Sequence, residues 1–205
     1  MTIYQYQSLK RFFSIGMILA ALMVACTDHP EPDTSLPSHH IAASEQLTIP
    51  AQVALPSNVP SGTSRVATYY ARGVQKYKAR EKADSNPVTY EWVFVAPEAD
   101  LYDATNANVG THFAGPSWQL TGSNALIVGQ PYSPPKTASQ DPNSIDWLLL
   151  MPKSGITPTG IFQDVDYIQR IATRGGKAPA TPPASATATV DVPYTTVYRF
   201  SKMNP

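Results

Sequence analysis

Apolar and polar residues alternate from Val59 onward with a period of two, which is typical of β-strands that bury one face. Residues 88–96 show this pattern first, and residues 190–200 repeat it near the C terminus. Pro193 lacks an N–H, so we predict that the second strand lies at a sheet edge or contains a bulge. The face of that strand opposite Pro193 is mostly apolar and consists of Val190, Val192, Tyr194, Thr196, Tyr198 and Phe200.

Three other segments are also predicted as strands. Trp147 to Met151 is a continuous apolar run, which suits a strand that is buried on both faces. Residues 65–78 are rich in Tyr and Val, and Gly73 within them is predicted as a β-bulge. Residues 161–173 are predicted as a strand, although the spacing of their apolar residues also fits a helical stripe.

Proline and glycine separate these segments and predict loops at many points, Pro97 and Pro131 among them. Short strands between frequent turns are typical of all-β proteins. We therefore predict one all-β, mainly antiparallel domain over residues 59–205, a sandwich or barrel with long loops. At about 145 residues, this domain is long enough to bury a sizeable core.

The N terminus has a different pattern, which is typical of exported proteins. Lys10 and Arg11 precede an apolar run of 14 residues, Phe12 to Ala25. As a helix this run would span ~21 Å, whereas the hydrocarbon core of a bilayer is ~30 Å thick. The run is therefore short for a membrane span and normal for a signal peptide, which we predict over residues 1–25. An uncleaved anchor helix is the alternative.

Cys26 is the only cysteine and follows the small residue Ala25 at the predicted cleavage point. This arrangement resembles the signal of a bacterial lipoprotein, in which the thiol accepts a diacylglycerol, although Met23 stands where leucine is usual. More than one acyl chain would make the attachment to the membrane stable. Thr27, rather than aspartate, follows the cysteine, so the resemblance implies the outer membrane, on its periplasmic or cell-surface face. An ordinary secretory signal that ends near a cysteine is the alternative.

Residues 26–58 are predicted to be the lipidated N terminus and a disordered tether, because prolines and small polar residues interrupt them without periodicity. His29, His39 and His40 lie in this segment and are interpreted as solvated rather than metal-binding. Without residues 1–25, the chain has thirteen basic and fifteen acidic residues and a net charge of −2. This balance gives no electrostatic reason to expect nucleic acid as a partner.

The composition also limits the chemistry that the chain can perform. With Cys26 assigned to the lipid anchor, no cysteine is left for a disulfide or a thiolate metal site, and we predict neither a metal nor a cofactor. The sequence has no dinucleotide, phosphate-loop, nucleophile-elbow or zinc-protease motif. An enzyme is therefore not the favoured interpretation.

The best candidate for a site is the segment 110–118, in which glycines and a proline surround His112 and Trp118. A proton carrier beside a flat apolar surface suits an aromatic or sugar ring. In the alternative interpretation, His112 bonds to loop backbone and Trp118 fills the core. The other candidate ligand-binding residues are Arg72, Gln75, Tyr167 and Arg170.

Three functions are compatible with these observations. The favoured one is a membrane-anchored domain that binds a small molecule, a glycan or an envelope protein. A hydrolase-like enzyme would need an acidic partner for His112, for which Asp103, Asp164 and Asp166 are candidates. A purely structural or interaction domain would have no cavity of ~300 Å³ or more around His112.

Several short motifs occur in order between residues 59 and 201. The first is Ala-Arg-Gly-Val-Gln at 71–75 with Tyr77. The second is Trp92 and Phe94, followed by Ala-Pro-Glu-Ala at 96–99 and Leu-Tyr-Asp at 101–103. The others are Val-Gly-Thr-His-Phe-Ala-Gly-Pro-Ser-Trp at 109–118, Trp-Leu-Leu-Leu at 147–150, Tyr-Ile-Gln-Arg at 167–170, Gly-Gly-Lys-Ala-Pro at 175–179 and Val-Pro-Tyr at 192–194. In this order they resemble an uncharacterised secreted family, Domain of Unknown Function 3455. The resemblance implies a mostly β, exported domain and no established activity.

The resemblance also points to a difference from that family. Its members often have a cysteine just after the Gln-x-Tyr motif and another after the Gly-Gly-x-Ala-Pro motif, where this chain has Lys78 and the Pro182-Pro183 region. Both cysteines are missing together, as if a disulfide between the two segments had been lost. We therefore expect that a reductant leaves the melting temperature of this domain unchanged.

Overall fold

The structure, a computed structural model, describes residues 47–59 and 61–205. Its main element is a closed barrel of eight antiparallel strands, in which each strand pairs with the next and the last pairs with the first. The strands are β1 (Thr63–Glu81), β2 (Tyr90–Tyr102), β3 (Asn108–Phe113), β4 (Ser117–Leu120), β5 (Leu126–Ala138), β6 (Trp147–Pro152), β7 (Tyr167–Gly175) and β8 (Thr189–Met203). The predicted all-β, mainly antiparallel fold is confirmed.

Side chains alternate between the inside and the outside of the barrel, because successive residues of a strand point to opposite faces. The inner core draws residues from all eight strands, and the alternating apolar face of β8 contributes Tyr194, Tyr198 and Phe200 to it. β6 is buried on both faces, as predicted: Leu150 belongs to the inner core and Leu149 to a second cluster outside the barrel.

This second cluster lies on the outer face of β1 and β5 to β8, where the chain before β1 packs against them. A 3-10 turn at Ala51–Val53 places Val53 in full burial, and the Val53 carbonyl accepts a bond of 2.7 Å from the Gln169 side chain. Residues 26–58 were predicted as a disordered tether, but Leu47, Ile49, Val53 and Leu55 pack on the barrel. Packing therefore begins upstream of the predicted boundary at residue 59.

The connection between β6 and β7 closes one end of the barrel. A 3-10 turn at Gly160–Phe162 buries the Phe162 ring, whose centroid lies 4.7 Å from that of Phe200 and 6.3 Å from that of Tyr69. The left-handed backbone of Gly160 (φ 59°) leaves no room for a side chain, since a Cβ would lie 2.8 Å from the Cα of Ala125. The strand predicted over residues 161–173 is thus correct only from Tyr167.

Glycine and proline have roles in the strands that differ from the predicted ones. Gly73 is not a bulge: it allows close approach of β1 to β2, since a Cβ there would lie 2.1 Å from the Glu98 carbonyl oxygen. Pro97 and Pro131 are not in loops but inside β2 and β5. The prediction that the strand with Pro193 lies at a sheet edge or has a bulge there is wrong, since β8 pairs with β1 and β7 in a closed barrel and no register shift falls at Pro193. Pairing with β7 ends at Tyr194, next to Pro193.

The segments in which the family resemblance implies a lost disulfide are joined by other contacts. Trp92 Nε1 donates to the Thr181 carbonyl at 2.9 Å, and the Ala79 amide donates to the Ala188 carbonyl at 2.8 Å. Pro183 between them is buried. Hydrogen bonds and packing therefore hold the connection between β7 and β8 against the end of β1 and the start of β2.

The predicted signal peptide, its cleavage point at Ala25 and Cys26, and the histidines of the tether lie outside the described residues. Within the described part of the chain, no helix has the length and apolar character needed to cross a membrane.

Candidate functional site

The barrel end opposite Phe162 contains a cavity of about 380 Å³. Cavities of ~300–1,000 Å³ are typical of small-molecule sites, and the mouths of β-barrels are a common place for them. The purely structural interpretation predicts no such cavity and is therefore not supported. The wall is mostly apolar, and its apolar residues are Phe94, Val95, Ala96, Pro97, Ala114, Gly115, Pro116, Pro131, Leu148 and Leu150.

Four of the six predicted ligand-binding residues line this cavity: Gln75, His112, Trp118 and Arg170. They come from β1, β3, β4 and β7, and pairing around the barrel brings them to one level of the interior. His112 and Trp118 are direct partners across the β3–β4 pair, with the short turn Ala114–Pro116 between the two strands. The site is thus assembled from residues that lie up to 95 positions apart in the chain.

Arg72 and Tyr167 do not join this group. Arg72 lies three residues from Gln75, and Tyr167 lies three residues from Arg170, so each points to the opposite side of its strand. Tyr167 belongs to the outer cluster, and Arg72 faces outside beside a surface groove that Arg174 also lines. Both predictions are wrong for a cavity inside the barrel.

His112 is held as a neutral ring within an aromatic stack. Its Nδ1 lies 2.8 Å from the Ser117 carbonyl oxygen, and since a carbonyl only accepts, Nδ1 carries the proton. The ring stacks on Trp118 with a centroid distance of 4.6 Å and an interplanar angle of 18°, and the Tyr198 ring lies 4.9 Å away. His112 Nε2 is therefore left as a hydrogen-bond acceptor in the cavity wall.

Burial is the main reason that His112 stays neutral. It lowers the pKa of His112 from 6.5 to about 3, the positive charge of Arg170 acts in the same direction, and the bond to Ser117 opposes both. An imidazole with this pKa is neutral throughout the physiological range, with its single proton on Nδ1. His112 can accept a hydrogen bond from a ligand but is a poor acid at neutral pH.

The hydrolase-like hypothesis required an acidic partner for His112. None of the described residues that line the cavity is acidic. The Asp103 carboxylate accepts bonds from the Thr105 hydroxyl and from two backbone amides, and Asp166 Oδ2 accepts the Met203 amide at 2.7 Å. Asp164 does not line the cavity either. The geometry therefore supplies no carboxylate to orient His112.

Three residues that line the cavity have a buried polar atom without a hydrogen-bond partner among the described residues: Gln75 Nε2, Trp118 Nε1 and the Tyr198 hydroxyl. All three residues are at most 2 % exposed. The Tyr194 hydroxyl lies beside Gln75 and Tyr198 but forms no hydrogen bond of acceptable geometry. Burial raises the pKa of Tyr194. Buried polar groups are nearly always hydrogen-bonded, so these three are exceptions. Because the atoms themselves are fully buried, they lie behind the surface of the cavity rather than on it.

Tyr198 was not among the predicted site residues, although its place on the inward face of the last strand was correctly predicted. The period of two gives the face of a residue but not its height in the barrel. Leu148 and Phe94 were missed for the same reason. No cluster of three or more His, Cys, Asp and Glu side chains within residues 47–59 and 61–205 is arranged to hold a metal ion.

The fold and the site define a class: an eight-stranded antiparallel barrel, sealed at one end, with a largely apolar cavity at the other. Residues 60–202 match the family described as Protein of unknown function (DUF3455), and the chain belongs to that family. Neither the curated proteins nor the solved structures contain a match to the chain.

Proposed function

We propose that this protein is a lipid-anchored protein of the bacterial envelope whose barrel binds a small, largely apolar molecule. The observation that carries the proposal is the cavity of about 380 Å³ with an apolar wall and a few polar groups inside it. Well-packed interiors hold few voids larger than a water molecule. The requirements of folding therefore do not account for a cavity of this size at the end of the barrel.

The dimensions of the cavity limit its occupant. At ~30 Å³ per water, the volume corresponds to roughly a dozen waters, or to a molecule with about as many non-hydrogen atoms. The rim includes exposed apolar residues, Phe94 and Val95, which lie where such a molecule would enter. Eight strands enclose just enough space for one small ligand.

A substitution at the rim tests binding. Ala114 is exposed at the turn between β3 and β4 and lines the cavity, so Ala114→Trp should block it without disturbing the core. Ala107 is an exposed alanine at the other end of the barrel, and Ala107→Trp is the matched control. Isothermal titration of the full-length chain in lipid nanodiscs with 2-naphthylmethanol should show binding that Ala114→Trp removes and Ala107→Trp preserves. Binding that is equal in both variants would contradict the proposal.

The membrane anchor is supported by the sequence pattern around Cys26, a basic start followed by a short apolar run and a small residue. Cys26→Ser should move the protein from the membrane fraction to the soluble fraction and leave its melting temperature unchanged, because Cys26 is the only cysteine and forms no disulfide within the chain. Thr27→Ala is the matched control and should stay with the membrane. A Cys26→Ser protein that remains in the membrane fraction would contradict the anchor.

A further inference from the structure

The cavity is almost uncharged, but its wall includes one cation, Arg170. The guanidinium donates from Nε and Nη2 to the Asp146 carbonyl oxygen, at 3.2 and 2.7 Å. These bonds use two of its five N–H groups. Within the described residues, Lys76 pairs with Glu98 and Arg80 with Glu91, whereas Arg170 has no carboxylate within ion-pair distance. A half-buried cation without a counter-ion favours an anion beside it.

The spare hydrogen-bond donors at the cavity belong to Arg170. Three of its five N–H groups form no hydrogen bond with the described residues. His112 Nε2 is the acceptor that the ring leaves to the cavity. A guanidinium group only donates, so it is complementary to a group that only accepts. Carboxylates accept through both oxygens and form paired bonds with guanidinium groups.

From these observations we infer that the cavity binds an aromatic or otherwise compact apolar monocarboxylate, with its carboxylate on Arg170 and its apolar body against the rim. This inference rests on the proposed function and names the chemical class of the ligand. One cation matches one negative charge, whereas a phosphate dianion would leave a charge unpaired in an apolar cavity. The exposed Phe94 ring in the cavity wall offers a surface that suits an aromatic body.

The test compares a charged ligand with neutral ones of the same size. Isothermal titration of the full-length chain in nanodiscs should show that 2-naphthoate binds about 10- to 100-fold more tightly than 2-naphthamide or 2-naphthylmethanol, because charge-assisted hydrogen bonds are stronger than neutral ones. Arg170→Gln should remove this preference, so that 2-naphthoate binds no more tightly than the two neutral ligands. Arg174→Gln is the matched control: Arg174 lies on the same strand, exposed and outside the cavity, so its loss should leave the preference intact.

The outcomes separate the two proposals. If the neutral ligands bind as tightly as 2-naphthoate, or if Arg170→Gln keeps the preference for the carboxylate, the inference is wrong and the binding function stands. If none of the three ligands binds, both the proposed binding function and the preference for a carboxylate are wrong. Arg170→Lys keeps the charge but loses the paired geometry, and it should retain part of the preference. This second variant keeps the test informative if Arg170→Gln folds poorly, which its circular dichroism and melting temperature would show.

Discussion

The two ends of the barrel interior are built from the same eight strands but are filled in opposite ways. At the sealed end, the β6–β7 connection inserts Phe162 against Tyr69 and Phe200, and the aromatic rings leave little space. At the open end, Gln75 and Arg170 stand among prolines and small residues around a cavity. The comparison shows that one end of the interior is filled by aromatic side chains that stabilise the fold, whereas the other end keeps a cavity, which is the basis of the proposed binding function.

The largest expected effect is at the sealed end. Phe162→Ala should lower the free energy of unfolding by about 3–5 kcal/mol, because it removes a fully buried ring and leaves a cavity between Phe200 and Tyr69. The neighbouring Ile161 is 49 % exposed, so Ile161→Ala should change stability by no more than about 0.5 kcal/mol. Urea unfolding at neutral pH measures both. Equal effects of the two substitutions would show that Phe162 does not seal the barrel.

A smaller effect at the open end depends on pH. Burial lowers the pKa of His112 in the folded state to about 3, below its unfolded value of 6.5, so the unfolded chain binds the extra proton in between. This contribution to stability is present above pH 6.5 and is lost as the pH falls from about 6.5 to about 3. The loss between pH 7 and pH 5 should be roughly 2 kcal/mol.

The variant His112→Phe isolates this contribution, because it removes the titrating group and keeps an aromatic ring beside Trp118. Urea unfolding at pH 7 and pH 5 should show a pH-dependent loss that is smaller in the variant than in the parent protein by that amount. If the two proteins lose the same stability on acidification, His112 is not held neutral by burial.

The smallest effects come from two tyrosine hydroxyls at the open end. The Tyr77 hydroxyl donates to the Gly176 carbonyl at 2.7 Å, so Tyr77→Phe should cost about 1 kcal/mol in urea unfolding. The buried Tyr198 hydroxyl forms no hydrogen bond of acceptable geometry with the described residues, so Tyr198→Phe should be neutral or slightly stabilising in the same measurement. A clear loss of stability in Tyr198→Phe would mean that its hydroxyl forms a hydrogen bond that stabilises the fold.

The positions that line the cavity were predictable in part. The period of two correctly placed Tyr194, Tyr198 and Phe200 on the buried face of the last strand. The same period, applied to β1 and β7, would have separated Gln75 from Arg72 and Arg170 from Tyr167, because residues three apart lie on opposite faces of a strand.

Other features could not be predicted from local pattern. Pro97 and Pro131 have the appearance of loop residues, but both lie inside strands and line the cavity. Proline is tolerated in a strand only where its missing N–H is not needed for pairing, and that depends on the neighbouring strand. The packing of Leu47 to Leu55 on the outside of the barrel likewise depends on an apolar outer face assembled from five strands.

The sequence by itself determined the all-β class, the inward face of the last strand, the doubly buried β6 and the family, since these depend on side-chain periodicity and on motifs in order. Only the tertiary structure decided which end of the barrel is filled and which residues meet at the other end. The height of a residue inside a closed barrel follows from the stagger of all eight strands together, and no single strand carries that information. For this reason Gln75, His112 and Arg170 were candidates in the sequence but became neighbours only in the fold.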